Sequence, residues 1–243
     1  MADLKGRVAL VTGGSRGIGA AIAISLADAG ASVAVNYREK QAEAQSVADT
    51  LRGLGVRAVT VRADVSKAAE VAAMVATVER ELGPIDILVN NAGVGMIRSV
   101  EELTEADFDA TIAVNLKSVF LCTQAVLPGM RARKWGRIVN ISSGAARGAG
   151  GIGPHYNASK AGMEGLTRGY AARLVKDGIT VNAVAPSLIE TDMVRAGLAS
   201  SPARIPLGRF GKPEECAEIV LMLIGNEYMT GQTVALSGGM SFL

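Results

Sequence analysis

Val8-Ala9-Leu10-Val11-Thr12-Gly13-Gly14-Ser15-Arg16-Gly17-Ile18-Gly19 is a short apolar run that breaks into a glycine-rich turn, and Ala20 to Ala29 after it reads as a helix. Strand, turn and helix thus follow in the order that a phosphate-binding βα unit requires. Glycines permit a tight turn and close backbone approach to a pyrophosphate, while the helix start offers free N–H groups and partial positive charge. The spacing is G-x-x-x-G-x-G rather than G-x-G-x-x-G. A glycine turn alone is a weak signal; its place directly after the first strand is what points to a dinucleotide.

Working outward, apolar, β-branched runs recur at Arg7 to Thr12, Ser32 to Asn36, Arg57 to Arg62, Asp86 to Asn90, Arg137 to Ser142, Thr180 to Ala185 and Gln232 to Leu236. Helical patterns of crossover length separate them. Strands that are apolar throughout are covered on both faces, so a parallel, right-handedly connected sheet is predicted. The fold class is α/β: a single-domain, Rossmann-type doubly wound sheet of about seven strands spanning residues 1–243, with a short substrate lid around 188–205. Thr104 before Asp107 and Pro213 before Glu214 and Glu215 resemble helix starts. The glycine-rich stretch Gly144 to Gly153 reads as an active loop.

A formal net charge of +2 on 243 residues is too balanced to argue for nucleic acid or an anionic membrane as the main partner. Cys122 and Cys216 form no C-x-x-C and are expected to be reduced and buried. That suits a cytoplasmic protein. Met1 to Gly6 carries no apolar signal-like region, and no run of about 18 apolar residues occurs, so neither secretion nor membrane insertion is predicted. His155 is the one histidine, and no metal is predicted.

The second strand ends Val35-Asn36-Tyr37-Arg38, where an NAD-specific site would place a carboxylate against the ribose 2′-OH. Arg38 there, with Arg16 in the glycine turn, suits a 2′-phosphate instead. NADP(H) is therefore the predicted cofactor.

In order along the whole chain stand Thr12 to Gly19, Asp64-Val65, Asn90-Asn91-Ala92-Gly93, Asn115, Ser143, Tyr156-x-x-x-Lys160, and Ala185-Pro186 with Ile189 and Thr191. This set resembles the short-chain dehydrogenase/reductase family, in particular its 3-oxoacyl-(acyl carrier protein) reductase-like members. The resemblance implies a cofactor site made of Gly13, Ser15, Arg16, Gly17, Ile18, Gly19, Tyr37, Arg38, Asp64, Val65, Asn91, Ala92, Gly93, Tyr156, Lys160, Pro186, Ile189 and Thr191. Asp64 and Val65 would meet the adenine, and Ile189 and Thr191 the nicotinamide carboxamide. Two departures are visible. Ser187 stands where the family usually has Gly; if that position needs φ > 0, serine would be strained and the nicotinamide loop shifted. The lid segment Met193 to Arg204 is also shorter than usual.

Carbonyl reduction needs a proton delivered to oxygen while the cofactor delivers a hydride to carbon. Tyr156 is the expected acid. Lys160, four residues on, shares its helix face and is expected to lower the phenol pKa and reach the cofactor ribose. Ser143 would stabilise charge on the substrate oxygen, with Ser142 as the rival. By resemblance, Asn115 holds a water in a proton relay with Lys160. His155 is expected to be structural or exposed, and Arg147 a solvated loop residue.

The resemblance further implies reduction of 3-oxoacyl thioesters on acyl carrier protein or coenzyme A, and a homotetramer. Gly162, Gly165 and Gly169 would let subunits approach closely, unless they pack within one subunit. Arg131, Arg133, Lys134 and Arg137 would serve an acidic carrier or simply form a solvated helix end. Two other readings stay open here: a reductase or dehydrogenase of another ketone, sugar or cyclic alcohol, and a catalytically idle NADP(H)-binding sensor.

Overall fold

The structure is a computed structural model that describes residues 3–192, 194–195 and 201–241. The expected lid therefore lies partly outside the described residues. Seven parallel strands form one sheet: β1 (Val8–Val11), β2 (Ser32–Tyr37), β3 (Ala58–Arg62), β4 (Ile87–Asn90), β5 (Gly136–Ile141), β6 (Ile179–Pro186) and β7 (Thr233–Leu236), in the order β3-β2-β1-β4-β5-β6-β7. Each expected strand is present, displaced by no more than a residue or so at its ends.

The helices are α1 (Gly17–Asp28), α2 (Gln41–Gly53), α3 (Ala68–Leu82), α4 (Glu105–Ile112), α5 (Ser118–Arg133), α6 (Pro154–Leu174) and α7 (Pro213–Gly225). Successive strand residues point to opposite faces. Ala9, Val11, Val33 and Val35 accordingly pack against α1, α2 and α7, while Val8, Leu10, Leu88 and Ile138 pack against α3, α5 and α6. Burial on both faces explains why β1, β4, β5 and β6 are buried throughout. The helical stretch Glu105–Arg133 is long and apolar enough to cross a membrane. Its Cys122, Val126, Leu127 and Met130 nevertheless join the sheet core. Thr104 caps α4 as expected, accepting the Asp107 N–H at 3.1 Å while Asp107 accepts the Thr104 N–H.

The strand order reverses at β1, whose neighbours are β2 on one side and β4 on the other. Crossovers leave in opposite directions from this point, opening a crevice at the carboxyl ends of the strands. Buried amides hold the glycine turn there. Asn36 Oδ1 accepts the Gly13 N–H at 3.1 Å, and its Nδ2 donates to the Val61 and Ala63 carbonyls at 3.3 and 3.1 Å. Replacing Asn36 with Ala strands these buried partners and is expected to cost about 2 kcal/mol; urea denaturation would check it, and an unchanged midpoint would remove Asn36 from the support of the turn.

Candidate active site

The crevice encloses about 960 Å³. At its β1 end, Gly13 and Gly17 have φ of +60° and +54°, values that side chains rarely adopt. A Cβ on Gly19 would overlap Asn91 Nδ2 and the Gly13 carbonyl. Asn91 Nδ2 in fact donates to the Thr12 and Gly13 carbonyls at 2.9 and 3.0 Å, so β4 clips the turn from the other side. Helix α1 begins with neither a side-chain cap nor an acidic residue in its first turn. Its first N–H groups are therefore available to an anion, and the bare backbone above them leaves room for one. The donors, the missing Cβ atoms and the size of the crevice fit a dinucleotide.

At the other end, α6 presents Tyr156 and Lys160, which are 8% and 4% exposed. Lys160 Nζ lies 5.7 Å from the Tyr156 ring centroid and donates to the Ile141 carbonyl at 2.7 Å. Burial dominates both groups. It raises the phenol pKa, with the Ser143 hydroxyl pulling the other way, and it lowers the ammonium from 10.5 to about 8. The expected lowering of the Tyr156 pKa by Lys160 is thus not found: the ammonium is committed to the Ile141 carbonyl, and burial pushes the phenol up.

Ser143, just past β5, lines the crevice, and its Oγ accepts the Ala145 N–H at 3.2 Å. Its rival Ser142 is 2% exposed and turned inward to the Lys160 carbonyl and Glu164. Asn115 sits in a π-helical turn, Ala113–Lys117, between α4 and α5. The widened turn carries its amide behind the crevice wall, where Oδ1 accepts the Val94 N–H at 2.8 Å and Nδ2 donates to the Val94 carbonyl at 2.9 Å and Ser159 Oγ at 3.2 Å. A Cβ on Gly93 would come within 3.3 Å of Asn115 Oδ1 and 3.7 Å of Lys160 Nζ.

The remaining expected cofactor residues, Ser15, Arg16, Ile18, Tyr37, Arg38, Asp64, Val65, Ala92, Pro186, Ile189 and Thr191, all line the same crevice. Arg38 donates to Glu39 Oε1 at 3.0 and 2.7 Å, and Arg16 to Asp192 Oδ2 at 2.9 Å. Asp64 accepts from Ser66, whose hydrogen bonds hold its carboxyl below the usual range against the opposing effect of burial. Ser187 lies outside the positive-φ region, where Lys134 is the one non-glycine among the described residues. The expected strain is therefore absent. The basic cluster is also largely spent internally: Arg131 pairs with Asp177, Arg133 with Asp86, and Arg137 is buried against Glu227.

The family model for short chain dehydrogenases matches residues 7–200. The chain belongs to the short-chain dehydrogenase family. This short-chain dehydrogenase is 42% identical over 240 residues to the 3-oxoacyl-[acyl-carrier-protein] reductase of Staphylococcus aureus, covering 96% of this chain and 97% of that one. It is 42% identical over 246 residues to the reductase of that name from Pseudomonas aeruginosa, covering 98% of each. A crystal structure of a short-chain type dehydrogenase/reductase from Mycobacterium marinum superposes with a TM-score of 0.93 at 36% identity, covering 98% of this chain and 97% of that one.

Sequence reasoning missed Asn36, Asn157 and Glu164 in this dehydrogenase. Asn36 gave a signal as a polar residue in an otherwise apolar strand, whereas Asn157 and Glu164 lie among the other polar residues of α6, Lys160, Thr167 and Arg168, and gave none. His155, left aside, is fully buried with Nε2 3.0 Å from the Met96 carbonyl. Arg147, expected in solvent, instead donates to buried Glu164.

The lowered Lys160 pKa has a consequence for stability. Between about 8 and 10.5 the folded protein holds fewer protons than the unfolded chain, so the penalty is full below 8 and fades as pH rises to 10.5. Lys160→Met should therefore be more stable than the parent at pH 7 and lose that advantage toward pH 10.5. Thermal melts across that range check it; a pH-independent difference would contradict the shift.

Proposed function

We propose that this enzyme reduces 3-oxoacyl thioesters, carried by acyl carrier protein or coenzyme A, to 3-hydroxyacyl thioesters with NADPH. The observation that carries this reading is the convergence of Ser143, Tyr156 and Lys160 on one end of a crevice whose other end is a glycine turn built for phosphate, in a chain similar over its length to two 3-oxoacyl-[acyl-carrier-protein] reductases. NADPH held in this crevice would supply the hydride for the substrate carbonyl carbon. Tyr156, a buried phenol beside Ser143, donates the proton to the carbonyl oxygen. Ser143 donates a hydrogen bond to the same oxygen as negative charge develops. Lys160 holds the cofactor ribose, and Asn115 orients the relay that returns a proton toward Lys160.

Arg38 and Arg16 receive the 2′-phosphate. Their present partners are carboxylates in exposed pairs, which contribute at most about 1 kcal/mol and exchange readily for a dianion. Asp64 and Val65 frame the adenine, Asn91, Ala92 and Gly93 pack beside the bound cofactor, and Pro186, Ile189 and Thr191 hold the carboxamide. Ile152, Leu188, Val194 and Met240 line the crevice with apolar side chains suited to an acyl chain.

A homotetramer belongs to the same proposal. Phe108 and Phe120 are 42% and 45% exposed, and Gly165 faces open space, whereas Gly162 is explained within the subunit by Leu116 beneath it. The setting is the cytoplasm, where buried Cys122 and Cys216 stay reduced.

NADPH absorbance with acetoacetyl-CoA and a panel of ketones tests the chemistry. Tyr156→Phe should lower kcat by about 10³-fold while NADPH still binds; a parental rate would remove Tyr156 as the acid. Tight NADPH binding with no turnover of any ketone would favour the sensor reading. Arg38→Asp should raise the NADPH Kd by about 100-fold, the ~3 kcal/mol of a charge-assisted contact, and leave NADH binding unharmed. An unchanged preference would take Arg38 out of the cofactor site.

A further inference from the structure

The loop after Ser143 contains Gly144, Gly148, Gly150, Gly151 and Gly153. Glycines give such a segment high conformational entropy, so something must hold it if Ser143 is to keep a fixed position. The restraints come from α6, the helix that carries Tyr156 and Lys160. Asn157 Nδ2 faces the carbonyls of Ala145, Gly148 and Ala149 at 2.9, 2.6 and 2.7 Å. Two turns further on, Glu164 is 3% exposed and accepts from Arg147 Nε at 2.9 Å, while its other oxygen faces Ser142 Oγ at 3.4 Å. A carboxylate buried this deeply is costly without a cation. The loop therefore cannot lift from the helix without stranding Glu164.

We propose that the Arg147–Glu164 pair is a positioning device that sets the Ser143 hydroxyl against the Tyr156 phenol, by docking the serine's loop on the tyrosine's helix; the inference rests on the ketone-reductase reading above. Arg147 and Glu164 touch neither substrate nor cofactor in this role. The rival role is direct contact between the half-exposed Arg147, which lines the crevice, and an anionic substrate group.

The test compares the parent with Arg147→Met, Glu164→Gln, Arg147→Lys and the double variant Arg147→Met/Glu164→Leu. Kinetics are measured on acetoacetyl-CoA and on uncharged ethyl acetoacetate, with NADPH Kd from fluorescence and amide hydrogen exchange over residues 144–150. Misplacing a reacting group can cost on the order of 100-fold. Arg147→Met and Glu164→Gln should each lower kcat by about 10- to 100-fold on both substrates, with KM and NADPH Kd within about twofold. Arg147→Lys should recover much of the rate, the double variant should be no worse than either single one, and the loop amides should exchange at least about tenfold faster in Arg147→Met. Parental kcat in the single variants overturns the proposal, whatever the exchange does. A KM rise confined to the thioester overturns it in favour of substrate contact. If the parent reduces neither compound, the ketone-reductase reading fails on its own, and the exchange decides the rest: parental loop exchange in Arg147→Met then overturns the docking role.

Discussion

Burial of a phenol and an ammonium on one face of α6 is the constraint around which this molecule is arranged. Neither Tyr156 nor Lys160 has more than a small fraction of its surface in water, and the two respond in opposite directions. The phenol is held in its neutral, proton-donating form, while the ammonium is brought to about 8. Desolvation thus drives apart two groups whose ordinary values, 10.0 and 10.5, nearly coincide, the phenol moving up and the ammonium down. The fold has to supply the dry site and bear the cost of a buried cation there.

Polar side chains inside the fold hold that site in register with the sheet. Asn90 in β4 donates to Asn140 in β5 at 2.9 Å, and Asn140 donates to Thr167 of α6 at 2.9 Å. The catalytic helix is therefore keyed to two central strands by directional bonds as well as by apolar packing, which is less specific about rotation. Thr12, Asn36 and Asn91 perform the corresponding task for the glycine turn. Both halves of the crevice are fixed to strands of the same sheet, the helix to β4 and β5 and the turn to the ends of β1, β2 and β4, so the distance between phosphate and chemistry is set by the sheet.

Much of this was legible in the sequence, for identifiable reasons. Strands buried on both faces have to be apolar along their length, so β1, β4, β5 and β6 declared themselves, and the ordered motifs from Thr12 to Thr191 marked residues that do converge on one crevice. Asn115 stood out as an amide among apolar neighbours, but the π-turn that carries it depends on backbone hydrogen bonding that no residue type announces. The partnership of Glu164 with Arg147 joins a helix to a loop 17 positions away. The spacing of Tyr156 and Lys160 gave their proximity but not their depth, and depth decides the direction of the phenol pKa. Ser187 illustrates the converse: a departure from a family pattern implied strain only if the backbone demanded glycine, and this backbone does not.

Titration of the Tyr156 phenol tests the account most directly. With ring-labelled tyrosine, four residues are observed, and the resonance missing from a phenylalanine variant identifies position 156. Dominant burial requires that resonance to remain in its protonated form beyond the ordinary value of 10.0. A phenol that ionises below 10 in the protein alone would mean that the lysine field outweighs desolvation, and the electrostatic basis of the site would have to be redrawn.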